Sequence, residues 1–128
     1  MRMIFVNLPV KDLDASRAFW TELGFSFNLE YTDDTAACLV FDENIFAMLL
    51  TENRFRDFIN GDIADPQTTE VLTCLSVPSR QEVDDLVAKA VAAGGKPWKP
   101  VLEEGPMYGG SFQDLDGHVW ELMAMSPQ

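Results

Sequence analysis

The chain has 128 residues, 47% of them hydrophobic and 23% charged, which suits one globular domain with its own core and excludes the disordered and fibrous classes. Nine basic against 21 acidic residues give a formal charge of −12, which repels nucleic acid and anionic membranes; it serves solubility, or more sharply a cationic ligand. No apolar run reaches the roughly 20 residues of a membrane span, and Met1-Arg2-Met3 leads directly into a strand pattern, so a soluble, cytoplasmic protein is expected.

The first β-rich segment is Ile4 to Val10, with Pro9 tolerated at an edge or strand end. Asp12 then offers an N-cap, Ala15, Phe19 and Leu23 recur every four residues, and Gly24 supplies the stop of a helix of about three turns. Three β-like runs follow, Phe25 to Tyr31, Ala36 to Phe41 and Ile45 to Thr51, separated by Asp33-Asp34 and Asp42-Glu43-Asn44. The polar interval from Glu52 to Thr69 carries Phe55, Phe58 and Ile59 at helical spacing before Gly61 and Pro66, and reads as a linker with a short helix.

The same order then returns. A strand is predicted over Val71 to Val77, and Ser79 and Glu82 have capping-box spacing. Val83, Leu86, Val87, Ala90 and Val91 form a helical stripe that ends at Gly94-Gly95. Strand-like segments Lys96 to Leu102, Tyr108 to Gln113 and His118 to Met125 close the chain, the last two joined by Asp114-Leu115-Asp116-Gly117, where Gly can take positive φ. The expected organisation is a single α+β domain of two tandem βαβββ modules, about 1–52 and 70–128, with a linker at about 53–69. Cys38 and Cys74 lie in apolar strand-like runs and read as buried free thiols.

Val10-Lys11-Asp12-Leu13-Asp14-Ala15-Ser16, with Phe19-Trp20 and Leu23-Gly24-Phe25, resembles the first-module signature of the vicinal oxygen chelate superfamily, which includes glyoxalase I, bleomycin-resistance proteins and extradiol dioxygenases. Ala92-Ala93-Gly94-Gly95-Lys96 resembles its second helix exit, and Phe112-Gln113-Asp114-Leu115-Asp116-Gly117-His118-Val119-Trp120-Glu121-Leu122 its terminal strand-turn-strand. The branch most similar is the one labelled predicted lactoylglutathione lyases. The resemblance implies a curved, cup-like mixed β-sheet with helices on its outer face, and a homodimer with twofold symmetry.

In metal-dependent relatives each module supplies one ligand from its first strand and one from its last. Carried over by motif, those positions fall on Phe5, on Met48 or Leu49, on Leu72 and on Glu121. One carboxylate among apolar side chains cannot supply the three or four ligands of a zinc site or the facial triad of non-haem iron. No metal and no cofactor is therefore expected. Alternation puts Glu121 on one face with Val119 and Met123, and burial in an apolar cup would raise its pKa and suit it to general acid or base work. Phe5, Phe46, Met48, Leu72 and Trp98 are read as the apolar wall, with Tyr108, beside Gly109-Gly110, as a phenolic donor near the mouth.

His118, the only histidine, sits at a hairpin turn and is expected to point outward or to the strand edge, with Asp114 and Asp116 forming the turn. No phosphate loop and no Ser-His-Asp order is present, since Gly109-Gly110 leads into a strand. Two functions stay open. The first is a metal-independent protein that binds or sequesters a bulky or cationic small molecule. The second is a glyoxalase-like lyase or isomerase in which Glu121 moves a proton. Dioxygenase chemistry ranks below both, and a cup filled by its own side chains is the structural alternative.

Overall fold

The structure, a computed structural model, describes residues 1–125. It divides into two compact units, Met1–Ile63 and a second beginning at Ala64. Each unit has a mixed β-sheet and a packed helix, so the fold class is α+β. Among the described residues no helix is long and apolar enough to cross a membrane.

The first unit runs β1 (Ile4–Val10), α1 (Leu13–Glu22), β2 (Ser26–Asn28), β3 (Ala36–Asp42), β4 (Ile45–Thr51) and α2 (Glu52–Arg56). Its sheet has the order β1-β4-β3-β2, with β1 parallel to β4 and the other pairs antiparallel. The parallel pair is possible because α1 and two strands intervene, giving the chain the length a crossover needs. Asp12 caps α1 as expected, accepting from the Ala15 amide at 3.0 Å, a contact worth about 1 kcal/mol. The buried stripe is Leu13, Ser16, Phe19 and Trp20, rotated from the Ala15 line because the large Trp20 ring takes the sheet. Trp20 meets Phe25 and Phe41 edge-on, with centroids 5.8 and 5.6 Å away.

Beneath α1 lie Leu8, Val10, Ala37, Leu39, Ala47 and Leu49, all buried. They alternate with the residues of the opposite face, as a two-residue strand period requires. The predicted strand Phe25 to Tyr31 stops at Asn28, whose side chain accepts from the Glu30 amide at 3.0 Å and starts a 3-10 turn over Leu29–Tyr31. Local side-chain capping here outcompetes the sheet.

The second unit runs β5 (Leu72–Ser76), α3 (Arg80–Ala92), β6 (Lys96–Pro97), β7 (Leu102–Glu104), β8 (Met107–Gln113) and β9 (Val119–Ala124). The order is β5-β9-β8-β6, with β7 also on β8 and β5 parallel to β9. Ser79 caps α3 by accepting from the Glu82 amide at 3.2 Å. Val83, Leu86 and Ala90 are buried, whereas Val91 at the stripe's end is 40% exposed. The segment Lys96 to Leu102 breaks into two short strands around Pro97 and Pro100, which cannot donate to a ladder. Close helix–sheet packing uses Gly110: a Cβ there would stand 2.7 Å from Val83 Cγ1 and 3.1 Å from Val87 Cγ2.

Candidate functional site

In the first unit, strand register puts Phe5, Phe46 and Met48 together on the face opposite α1. Phe5 pairs directly with Phe46, and the two rings stack with centroids 4.8 Å apart. Met48 pairs with Asn7 and with Cys38 on the same face. Leu49, the alternative to Met48, points to the α1 side and is fully buried. Phe5 remains 45% exposed although it is a large aromatic.

In the second unit, the face opposite α3 carries Leu72 and Cys74 from β5, Val119, Glu121 and Met123 from β9, and Gly109 and Ser111 from β8. Glu121 stands between Cys74 on one side and Ser111 on the other. It is half-buried, with a thiol and a hydroxyl as cross-strand neighbours rather than an apolar enclosure. Leu72 is 54% exposed. A cleft of about 270 Å³ lies on this face, lined by Lys99, Leu102, Gly109, Ser111, Glu121 and Met123 among others. The Cys74 thiol is pushed up by partial burial and then by the negative charge of Glu121.

Both cysteines are free, but only Cys38 is buried; Cys74 is exposed. The expectation of two buried thiols fails for Cys74 because β5 is the edge strand and Cys74 faces away from α3. Tyr108 also differs from expectation. It pairs with Ala124, three residues from Glu121, so the strand period turns it to the α3 side. There its hydroxyl donates to Asp84 at 2.7 Å, and Arg80 lies over its ring at 5.0 Å. The hydrogen bond to Asp84 holds the phenol above its ordinary value. Trp98 lies between β6 and β7 and is half-buried.

A second cleft, about 560 Å³, opens on the α3 side, with Val87, Val91, Pro97 and Val101 in its wall and Asp84 at its edge. It is larger, but it contains none of the motif-derived positions. Glu121 lines the smaller one.

The motif-derived ligand positions do not fit a divalent metal. The first unit offers an aromatic ring and a thioether, and the second an aliphatic side chain and one carboxylate, whereas such a cation takes several oxygen, imidazole or thiolate donors. Among the described residues, no three His, Cys, Asp or Glu side chains converge to hold a metal ion.

His118 does not point outward. It is 5% exposed, and its Nδ1 lies 3.2 Å from Glu70 Oε1. Its amide donates to Asp114 Oδ1 at 3.0 Å, which also accepts from the Asp116 amide. Asp114 is buried as well, and its second oxygen accepts from Trp120 Nε1 at 3.0 Å. Burial pushes the Asp114 carboxyl up, against the pull of the His118 charge and these hydrogen bonds. Asp114 therefore does form the turn, as expected, while also anchoring an indole. Glu70 lies 48 residues from His118, beyond the reach of any local pattern.

Residues 2–41 match the family described as Bleomycin resistance protein-like N-terminal. Among curated proteins none matches the sequence. A hypothetical protein from S. aureus is 28% identical, with a TM-score of 0.80 over 97% of this chain and 94% of that one. A glyoxalase/bleomycin resistance protein/dioxygenase family enzyme from Burkholderia phytofirmans is 19% identical, with a TM-score of 0.80 over 98% and 99%. A fosfomycin resistance protein from Listeria monocytogenes, complexed with Mn(II) and sulfate ion, is 21% identical, with a TM-score of 0.69 over 95% and 88%.

Proposed function

We propose that this member of the vicinal oxygen chelate superfamily is a metal-independent small-molecule binding protein, which holds a bulky, apolar or cationic ligand against the open sheet face of a unit, on the side away from its helix. One observation carries the reading: where metal-dependent relatives place ligands, this chain has Phe5, Met48 and Leu72, and Phe5 and Leu72 stay 45% and 54% exposed. Large apolar side chains left open on a sheet face are the groups a ligand covers with gain, at about 25 cal/mol per Å² of apolar area removed from water. Glu121 supplies a carboxylate to the face, beside Lys99 in the cleft lining, and a formal charge of −12 draws cations toward the protein. The cleft beside Glu121, about 270 Å³, is close to the lower end of ligand pockets, roughly 300 Å³.

Calorimetry of EDTA-treated protein against cationic glycopeptides and a broad aromatic panel tests this reading. Binding without metal supports it, and silence across the panel removes it. By the same resemblance the protein pairs as a symmetric homodimer; light scattering that reports a monomer contradicts that part.

A second reading rests on the placement of Glu121 in a cleft between a hydroxyl and a thiol. Here Glu121 acts as general base and then acid in a lyase or isomerase of the lactoylglutathione lyase type, taking a proton from one carbon and returning it to the next. Hemithioacetal isomerisation, assayed with and without nickel or zinc, decides it. Activity that survives Glu121→Gln rules out the mechanism.

A further inference from the structure

We propose that Glu70 and His118 form a pH-dependent clasp, which fastens the chain between residues 64 and 71 onto the β8–β9 turn and so holds the entry to β5. The turn side of the clasp is rigid. Asp114 binds the amides of Asp116 and His118 and the indole of Trp120, and the Gly117 amide donates to the Asp114 carbonyl. Residues 64–71 form neither strand nor helix. They meet the turn at Glu70 and at Pro66. Glu70 reaches the buried ring of His118 at 3.2 Å. The Pro66 carbonyl oxygen lies so near Gly117 that a Cβ there would stand 2.9 Å from it. Gly117 also has φ +87°, so glycine meets both demands at once.

Among the described residues, the charged groups set around the His118 ring include Glu70 from the segment and Asp114 from its own turn, with Asp116 two residues away. A protonated ring makes a charge-assisted bond to Glu70, about twice as strong as a neutral one. It also offsets the buried Asp114 carboxylate. Once the ring is neutral, the Glu70 contact weakens and Asp114 loses the positive charge that opposes its burial. The clasp is therefore tight below the His118 transition and loose above it. Glu70 lies two residues before Leu72, the first residue of β5, and among the described residues β5 is an edge strand that pairs with β9. Loosening the clasp frees the end of the strand that carries Leu72 and Cys74 beside Glu121. That last consequence rests on the binding reading; the clasp does not.

The test is ¹⁵N relaxation of the full chain, with no ligand added, across the pH range in which the His118 ring resonances titrate. Backbone order parameters of residues 67–71 are expected near about 0.85 below the transition and under about 0.6 above it. In Glu70→Gln they are expected to be low throughout, with the His118 transition moved to lower pH. Order parameters that stay constant through the transition overturn the clasp, as does a Glu70→Gln variant that matches the parent. Should that variant fail to fold, the parent pH series decides alone.

Discussion

Phe5 lies face to face on Phe46, with ring planes 11° from parallel and centroids 4.8 Å apart, in directly paired parallel strands. The first motif-derived ligand position is thus half of an aromatic pair. Phe5→Ala should cost about 1–2 kcal/mol, the stacking gain plus a share of the burial expected for a half-exposed ring. Urea unfolding measures it. A loss under about 0.3 kcal/mol would mean that the pair does no packing.

Neighbouring glycines on β8 should respond in opposite ways. At Gly110 a Cβ would stand 2.7 Å from the buried, χ1-restricted Val83, so Gly110→Ala should cost about 1–3 kcal/mol by overpacking. At Gly109 the nearest atom would be the Leu122 carbonyl oxygen at 3.7 Å, so Gly109→Ala should fall within about 0.5 kcal/mol of the parent. Equal losses at both sites would contradict the helix-side assignment of Gly110.

Asp114→Ala leaves the Trp120 indole N–H, the Asp116 amide and the His118 amide without their acceptor. A loss of about 2–4 kcal/mol is expected. The pH dependence has a definite sign. Burial holds the folded carboxyl above its ordinary value of 3.8, so the folded chain binds this proton more tightly than the unfolded one. Its contribution is full below that ordinary value and is lost as pH rises through the folded value. Asp114→Asn cannot titrate. The stability of the parent relative to this variant should therefore fall as pH rises from about 3.8, and denaturant midpoints measured between acid and neutral pH should show it.

Tyr108 faces α3, so Tyr108→Phe should leave ligand binding at the Glu121 face unchanged. Asp84→Asn should bring the phenol back toward its ordinary ionisation, since the Asp84 hydrogen bond is the largest cause of its rise. Spectrophotometric titration of the tyrosines reads this. Weakened ligand binding in Tyr108→Phe would place the phenol at the ligand after all.

Capping and periodicity made much of this fold legible. Asp12, Ser79 with Glu82, Gly24 and Gly94 marked the helix ends, and alternation placed Glu121 with Val119 and Met123 and opposite Trp120. What escaped the sequence depended on contacts between distant residues or on competing local bonds. The β2 strand was overextended because Asn28 caps a 3-10 turn. The sequence puts Tyr108 on the wrong side because its face is settled by pairing with Ala124 and by Asp84 on α3. His118 looked like a surface turn residue because neither Glu70 nor the burial of Asp114 is visible in the hairpin motif. Cys74 looked buried because its apolar run did not show that β5 is an edge strand.

The most direct test of the central claim is calorimetric titration of EDTA-treated protein with cationic and aromatic ligands, repeated with Glu121→Gln and with added divalent metal. Saturable binding is expected in the metal-free protein, weakened about tenfold by Glu121→Gln, which is about 1.4 kcal/mol, and unchanged by metal. Binding that appears only after zinc, nickel or manganese is added would contradict it.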